Sequence, residues 1–236
     1  MSDDLAKMDA TAQAELVRKG DVSPRELVDA AIDRVEKLNP QLNAVIRPRY
    51  EKARAEADSP YLPDGPLKGV PFLLKDLFCV YAGDEIHSGC KALKESHYTA
   101  QADTYLAVKF REAGFISVGR TNTPEWGLMG TTEPAAYGPT HNPWNLDHSP
   151  GGSSGGSSAS VAARIVAGLL LIQVKAAIGN ASIEALFEGV SMYITAGLLW
   201  YVIFWLSKQV GTSSQLTDDA KKAASSAGWG IFLITF

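Results

Sequence analysis

Residues 1–167 predict an α/β layer fold with substantial parallel strand pairing, and residues 168–236 predict a mainly helical tail. Three observations carry this. Amphipathic segments alternate with short, continuous apolar runs. One of them, Thr104–Ala113, passes through Gly114 directly into the apolar run Phe115–Val118. Charge also breaks along the chain: residues 1–166 hold 40 of the 48 charged side chains and residues 167–236 hold 8.

The elements follow in order. Asp9 to Lys19 has helical spacing and meets Gly20, a natural helix terminator. Ser23-Pro24-Arg25-Glu26 opens a second helix, because Ser23 can cap, Pro24 suits the first turn and Glu26 completes a capping box. Val28, Ala31, Ile32 and Val35 share one face, so that helix packs on a neighbour. Asn39-Pro40 is expected to stop it. Asn43 to Ile46 is a short strand candidate, and Tyr50 to Ala57 a polar helix followed by a Pro/Gly/Asp loop through Gly65. Val70 to Leu74 is apolar throughout and bounded by turn residues, as in a strand buried on both faces. Phe115 to Val118 reads the same way. Thr121 to Pro150 shows little periodicity; a loop that long in a compact domain is functional or marks a missed element.

Bulk properties remove several function classes. The net charge of −4 gives no sign of a nucleic-acid partner. Cys79 and Cys90 make neither a disulfide framework nor a zinc site and are expected as reduced thiols, which places residues 1–167 in the cytoplasm. His87, His97, His141 and His148 lack metal-ligand spacing, so no metal is expected. Glu125 and Glu133, in loops, are expected to be solvated or capping rather than an acid–base pair. The acidic start, Met1-Ser2-Asp3-Asp4, has no apolar run behind it and predicts no secretory signal.

Two features carry candidate chemistry. Lys75 ends the apolar run Val70–Leu74. It can snorkel to solvent or pair with Asp76. Alternatively, desolvation lowers its proton affinity and makes it a general base near neutral pH. The run Ser149-Pro150-Gly151-Gly152-Ser153-Ser154-Gly155-Gly156-Ser157-Ser158-Ala159 reads as a flexible linker or as a loop opening onto a helix N-terminus. A strand-end lysine and a glycine-framed serine pair are what serine–lysine chemistry requires, since a serine hydroxyl is a weak nucleophile until a base withdraws its proton.

Three ordered motifs carry a resemblance. Gly69-Val70-Pro71-Phe72-Leu73-Leu74-Lys75-Asp76-Leu77, Gly119-Arg120-Thr121-Asn122-Thr123-Pro124-Glu125 and Pro150-Gly151-Gly152-Ser153-Ser154-Gly155-Gly156-Ser157 together resemble the amidase signature family, over about 167 residues. The segments Asp9-Ala10-Thr11 through Asn43-Ala44-Val45 are similar to its N-terminal helices. Thr131-Thr132-Glu133-Pro134 with Asn142-Pro143-Trp144-Asn145 most resembles the bacterial branch that includes 6-aminohexanoate cyclic-dimer hydrolases. The resemblance implies an incomplete amidase-type mixed-sheet α/β/α layer fold over residues 1–167. It implies hydrolysis of small or linear carboxamides by a Ser–Ser–Lys triad, without a cofactor. Lys75 would be the base and Ser153 the bridging residue, often held by a cis peptide bond. Gly151, Gly152, Ser154 and Gly155 would support the loop, and Gly127 and Leu128 fall where the family builds part of its substrate pocket.

The pattern fails at the third member of the triad. The family's nucleophilic serine, in a Gly-Gly-Ser turn, corresponds in position to Ala177, within Val174-Lys175-Ala176-Ala177-Ile178-Gly179. Ser182, the nearest hydroxyl, lacks paired glycines before it, and the family's C-terminal half is not matched by the residues that follow. Gly189 to Ser207 has no charged residue over 19 positions and is bracketed by Glu188 and Lys208. Tyr193, Trp200, Tyr201 and Trp205 lie near its ends, so it predicts a transmembrane helix or a buried core helix. The sequence therefore leaves three expectations: an amide hydrolase with impaired turnover, an inactive truncated or chimeric amidase half joined to a membrane segment, or a tail-anchored binding module.

Overall fold

The computed structural model describes residues 2–167; the predicted span at 189–207 lies outside them. The elements are α1 (Ser2–Leu5), α2 (Ala10–Lys19), α3 (Pro24–Leu42), β1 (Val45–Pro48), α4 (Tyr50–Ala57), β2 (Pro71–Lys75), α5 (Lys91–Glu95), α6 (Tyr105–Glu112), β3 (Ile116–Thr121) and α7 (Gly155–Ala162), with a 3-10 turn at Glu125–Gly127. Among the described residues, no helix is long and apolar enough to cross a membrane.

The helix ends form where the side chains dictate. The Asp9 side chain accepts from the Ala12 amide at 2.8 Å, and Gly20 closes α2 in the left-handed region at φ 78°. Ser23 and Glu26 make the predicted capping box, with Glu26 accepting from the Ser23 amide at 2.8 Å. Asn39-Pro40, however, does not stop α3, which runs on to Leu42. Pro40 falls in the last turn: it gives up one i→i−4 bond, but only Gln41 and Leu42 of the helix follow it. Asn39 then does the work of the terminus. Its Oδ1 accepts from the Ala44 and Val45 amides at 2.9 and 2.7 Å, and its Nδ2 donates to the Val45 carbonyl at 2.8 Å. One side chain thus hands the chain from α3 to β1.

The three strands form a mixed sheet in the order β1-β3-β2, with β1 antiparallel and β2 parallel to the central β3. All six residues of β3 are buried. The strand runs past Val118 through Gly119-Arg120-Thr121, polar residues that the apolar run alone did not include. Val28, Ala31, Ile32 and Val35 of α3 pack with Ile116 and Val118 of β3, and with Ala159 and Ile165 from α7 and beyond. A second cluster joins Ala10 and Ala14 of α2 to Val70, Phe72 and Leu74, with Ala107 and Phe115. There the Phe72 ring lies 5.0 Å from Phe110 and 4.8 Å from Phe115, a three-ring core worth more than its area alone. These clusters fix the C-terminal ends of β2 and β3, which carry Lys75 and Thr121 side by side.

The long segment after β3 is irregular but well tied. Asn122, fully buried, donates from Nδ2 to the Gly138 carbonyl and to Thr140 Oγ1, both at 3.0 Å. Its backbone amide donates to the Ala44 carbonyl at 2.9 Å, and its carbonyl accepts from the Gly156 amide at 3.2 Å. A single asparagine therefore joins the end of β3, the returning loop and the start of α7.

Candidate active site

The glycine-rich run is a loop opening onto α7, not a linker. Its glycines are demanded by close backbone approach. A Cβ on Gly152 would lie 2.7 Å from the Thr131 carbonyl oxygen, one on Gly155 2.3 Å from Thr132 Oγ1, and one on Gly156 2.4 Å from the Asn122 amide nitrogen. Three threonines hold the loop by their hydroxyls. Thr132 Oγ1 donates to the Gly151 carbonyl at 2.9 Å and accepts from the Gly155 amide at 3.1 Å. Thr123 Oγ1 donates to the Ser153 carbonyl at 3.0 Å, and Thr121 Oγ1 lies 2.7 Å from Ser157 Oγ. The Gly152–Ser153 peptide is cis.

This loop brings Ser153 and Ser154 over the end of β2. Lys75 Nζ lies 2.7 Å from Ser153 Oγ and 3.0 Å from Ser154 Oγ. Lys75 does not pair with Asp76: its Nζ is bonded to the serines, and Asp76 is turned away to Arg47 Nη2 at 3.0 Å. Half-burial of Lys75 pushes its ammonium below the ordinary lysine range, with desolvation as the cause. Ser153 is half-buried and Ser154 exposed, so the pair is reachable from solvent.

Gly127 comes beside the pair: a Cβ built on it would be 3.8 Å from Ser153 Oγ and 2.6 Å from Leu77 Cδ2. Leu128 is 55% exposed in the same turn. Glu125 and Glu133 are exposed, and Cys79 and Cys90 are free and buried. Among the described residues, no group of His, Cys, Asp and Glu could hold a metal ion. His87 is buried instead in a polar cluster, with Nε2 2.8 Å from Glu85 Oε2 and Nδ1 against the Tyr137 hydroxyl. Burial pulls its imidazolium down.

Two supporting residues escape a reading of the sequence. Thr123 and Thr132 both stand in quoted motifs, yet their partners lie 30 and 19 residues further on, and spacing does not reveal such contacts. The available signal was their position, directly after a buried strand and in an otherwise aperiodic segment.

The constellation is a half-buried amine within hydrogen-bond distance of a serine hydroxyl in a glycine loop. A family model described as Amidase matches residues 26–169. The 6-aminohexanoate-cyclic-dimer hydrolase of Paenarthrobacter ureafaciens is 55% identical over 157 residues, covering 66% of this chain and 31% of that protein. The acylamidase of Rhodococcus erythropolis is 40% identical over 164 residues, covering 66% of this chain and 33% of the relative. The solved structure of a 6-aminohexanoate cyclic dimer hydrolase superposes with a TM-score of 0.64 at 55% identity, covering 67% of this chain and 32% of the other. The chain thus spans about a third of the length of the relatives it matches. The matched model covers more than half of the chain and takes in Lys75, the threonine clamps and the glycine loop, and on that ground the chain belongs to the amidase family.

Proposed function

We propose that residues 1–167 supply the base and relay of a C–N hydrolase acting on small or linear carboxamides, with Lys75 as general base and Ser153 as the proton-passing hydroxyl. The observation that carries this reading is the 2.7 Å approach of Lys75 Nζ to Ser153 Oγ. Desolvation lowers the proton affinity of Lys75 and so raises the share of neutral amine that can accept the Ser153 proton. Ser153 Oγ, having given its proton to Lys75, can take another from the hydroxyl that attacks the amide, so two protons shift in turn and the positive charge ends on Lys75. Gly127 and Leu128, beside Ser153 and on the exposed turn, are the proposed walls of the substrate site. The names of the relatives, a 6-aminohexanoate-cyclic-dimer hydrolase and an acylamidase, favour small amides as first substrates to try.

A specific observation favours a second reading. Ala177 occupies the position that the family resemblance gives to the nucleophilic serine, and an alanine has no hydroxyl to activate. Loss of a nucleophile typically costs several orders of magnitude in rate. On this reading the chain keeps the proton relay of an amidase and lacks turnover.

The two readings separate in one experiment. The purified full chain is assayed on a panel of small carboxamides and anilides, and is treated in parallel with a serine-directed fluorophosphonate. Hydrolysis and labelling that both vanish in Lys75→Met support the hydrolase. Absence of both in a folded chain supports the second reading. Hydrolysis that survives Lys75→Met unchanged sinks the proposed role of the lysine.

A further inference from the structure

Ser154 stands just before α7, at the position of its cap. A serine there ordinarily accepts from the second or third amide of its helix. Asp9 and Ser23 do so at the starts of α2 and α3, each from an extended backbone. Ser154 does not. It makes no side-chain cap bond, and its backbone, at φ −102° and ψ 33°, is not extended. Other groups serve the first turn: Thr132 Oγ1 accepts from the Gly155 amide and the Asn122 carbonyl from the Gly156 amide. The Ser154 hydroxyl is therefore not spent on the helix. Its one bond among the described residues is to Lys75 Nζ, at 3.0 Å.

The two serines that meet Lys75 differ in access. Ser153 is half-buried, and its carbonyl is held by Thr123 at 3.0 Å, whereas Ser154 is exposed. The separation of Ser154 Oγ from Nζ is one at which a base takes a proton from a nucleophile. The Ser154 amide has no acceptor among the described residues, which leaves an N–H donor beside the same hydroxyl. Acyl transfer needs these parts together: a half-buried amine, a hydroxyl with no structural duty, an open approach and a donor for the developing oxyanion.

We propose that Ser154 is the nucleophile of this chain, attacking the carbonyl of a small amide after giving its proton directly to Lys75. The proposal rests on the reading of Lys75 as general base, not on the relay through Ser153, and it names the attacking hydroxyl. Neutral Lys75 Nζ takes the proton of Ser154 Oγ as the bond from Oγ to the carbonyl carbon forms. The ammonium returns that proton to the amide nitrogen as the C–N bond breaks, and the amine departs from an ester on Ser154. A water then gives a proton to Lys75 while its oxygen bonds to the acyl carbon. The ester bond breaks, and Ser154 Oγ takes the proton back from Lys75, so one water is consumed for each amide cleaved. On this route the 2.7 Å bond to Ser153 steadies the amine.

The test treats the full chain with a small alkyl fluorophosphonate over a range of pH and locates the adduct by peptide mass spectrometry. The pH at which Lys75 becomes open to reductive methylation is read in parallel. The adduct is expected on Ser154, forming at a rate that rises with pH and levels off below the ordinary lysine value of 10.5. Ser154→Ala, which removes no cap bond, and Lys75→Met should each slow labelling by at least about a hundredfold. Ser153→Ala should slow it without moving the adduct. A Lys75-dependent adduct on another residue overturns Ser154 as nucleophile and spares Lys75 as base. An adduct on Ser154 that forms as fast in Lys75→Met overturns Lys75 as base, and the proposal with it. No adduct in the folded native chain overturns Ser154 alone if Lys75 is methylated below its ordinary range, and both residues' roles if it is not.

Discussion

Thr132→Val removes one oxygen and keeps the side chain's shape, so it isolates the hydroxyl that clamps the serine loop. Thr132 is fully buried, and its Oγ1 serves the Gly151 carbonyl at 2.9 Å and the Gly155 amide at 3.1 Å. Gly155 is buried and its amide has no second partner among the described bonds; the Gly151 carbonyl, half-buried, can recover water. Leaving a buried group unpaired costs about 1–3 kcal/mol, and the lost second bond adds about 1 kcal/mol. The variant should therefore lose about 2–4 kcal/mol. For a chain of this size that lowers the unfolding midpoint by about 5–15 °C. The assay is thermal unfolding followed by circular dichroism on native chain, Thr132→Val and Thr132→Ser. Serine keeps both bonds and loses one methyl, about 0.8 kcal/mol. If valine melts within about 2 °C of the native chain, or serine falls as far as valine, the hydroxyl is not what holds the loop.

Three further outcomes follow from the same geometry. Gly156→Ala drives a methyl to within 2.4 Å of the Asn122 amide and 2.7 Å of the Ala44 carbonyl, both backbone, and should cost about 3 kcal/mol or more in a urea titration. Asn39→Ala should cost about 2–3 kcal/mol, because it frees the Ala44 and Val45 amides and the Val45 carbonyl; amide hydrogen exchange should report faster opening at those two residues first. Lys75 binds its proton less tightly folded than unfolded, where its ordinary value is 10.5, so the fold carries a charging penalty at neutral pH. That penalty is relieved as pH rises from the folded value toward 10.5. Lys75→Met lacks the penalty throughout. Its urea midpoint should exceed that of the native chain near neutral pH, with the gap closing as pH rises; a gap constant with pH would exclude a lowered lysine.

Helix ends were legible because their signals are local: Asp9, Ser23 and Glu26 act on amides three residues away. The apolar runs located β2 and β3 for the same kind of reason. The last half of β3 was hidden because Gly119, Arg120 and Thr121 are buried through bonds to Cys79, Ser157 and neighbouring strands rather than through apolar packing. Helix α5 was hidden because one turn of five residues leaves no periodicity and Cys90 offers no side-chain cap. Pro40 misled because a proline's cost depends on its place in the helix, and Asn39 supplied the lost terminus. In the candidate site, residue types and order pointed to Lys75 and Ser153. The threonine clamps were invisible because tertiary approach alone creates them. The predicted helix at 189–207 lies outside the described residues.

Polar pins, rather than oily packing, hold the reactive loop in place. Apolar contacts of the kind that join α3 to β3 keep their strength, or gain it, on warming, while bonds between hydroxyls and carbonyls lose to competing water. Heating should then release Ser153 from Lys75 while the strands beneath still stand. The Lys75–Ser153 contact would come apart one step earlier than the architecture.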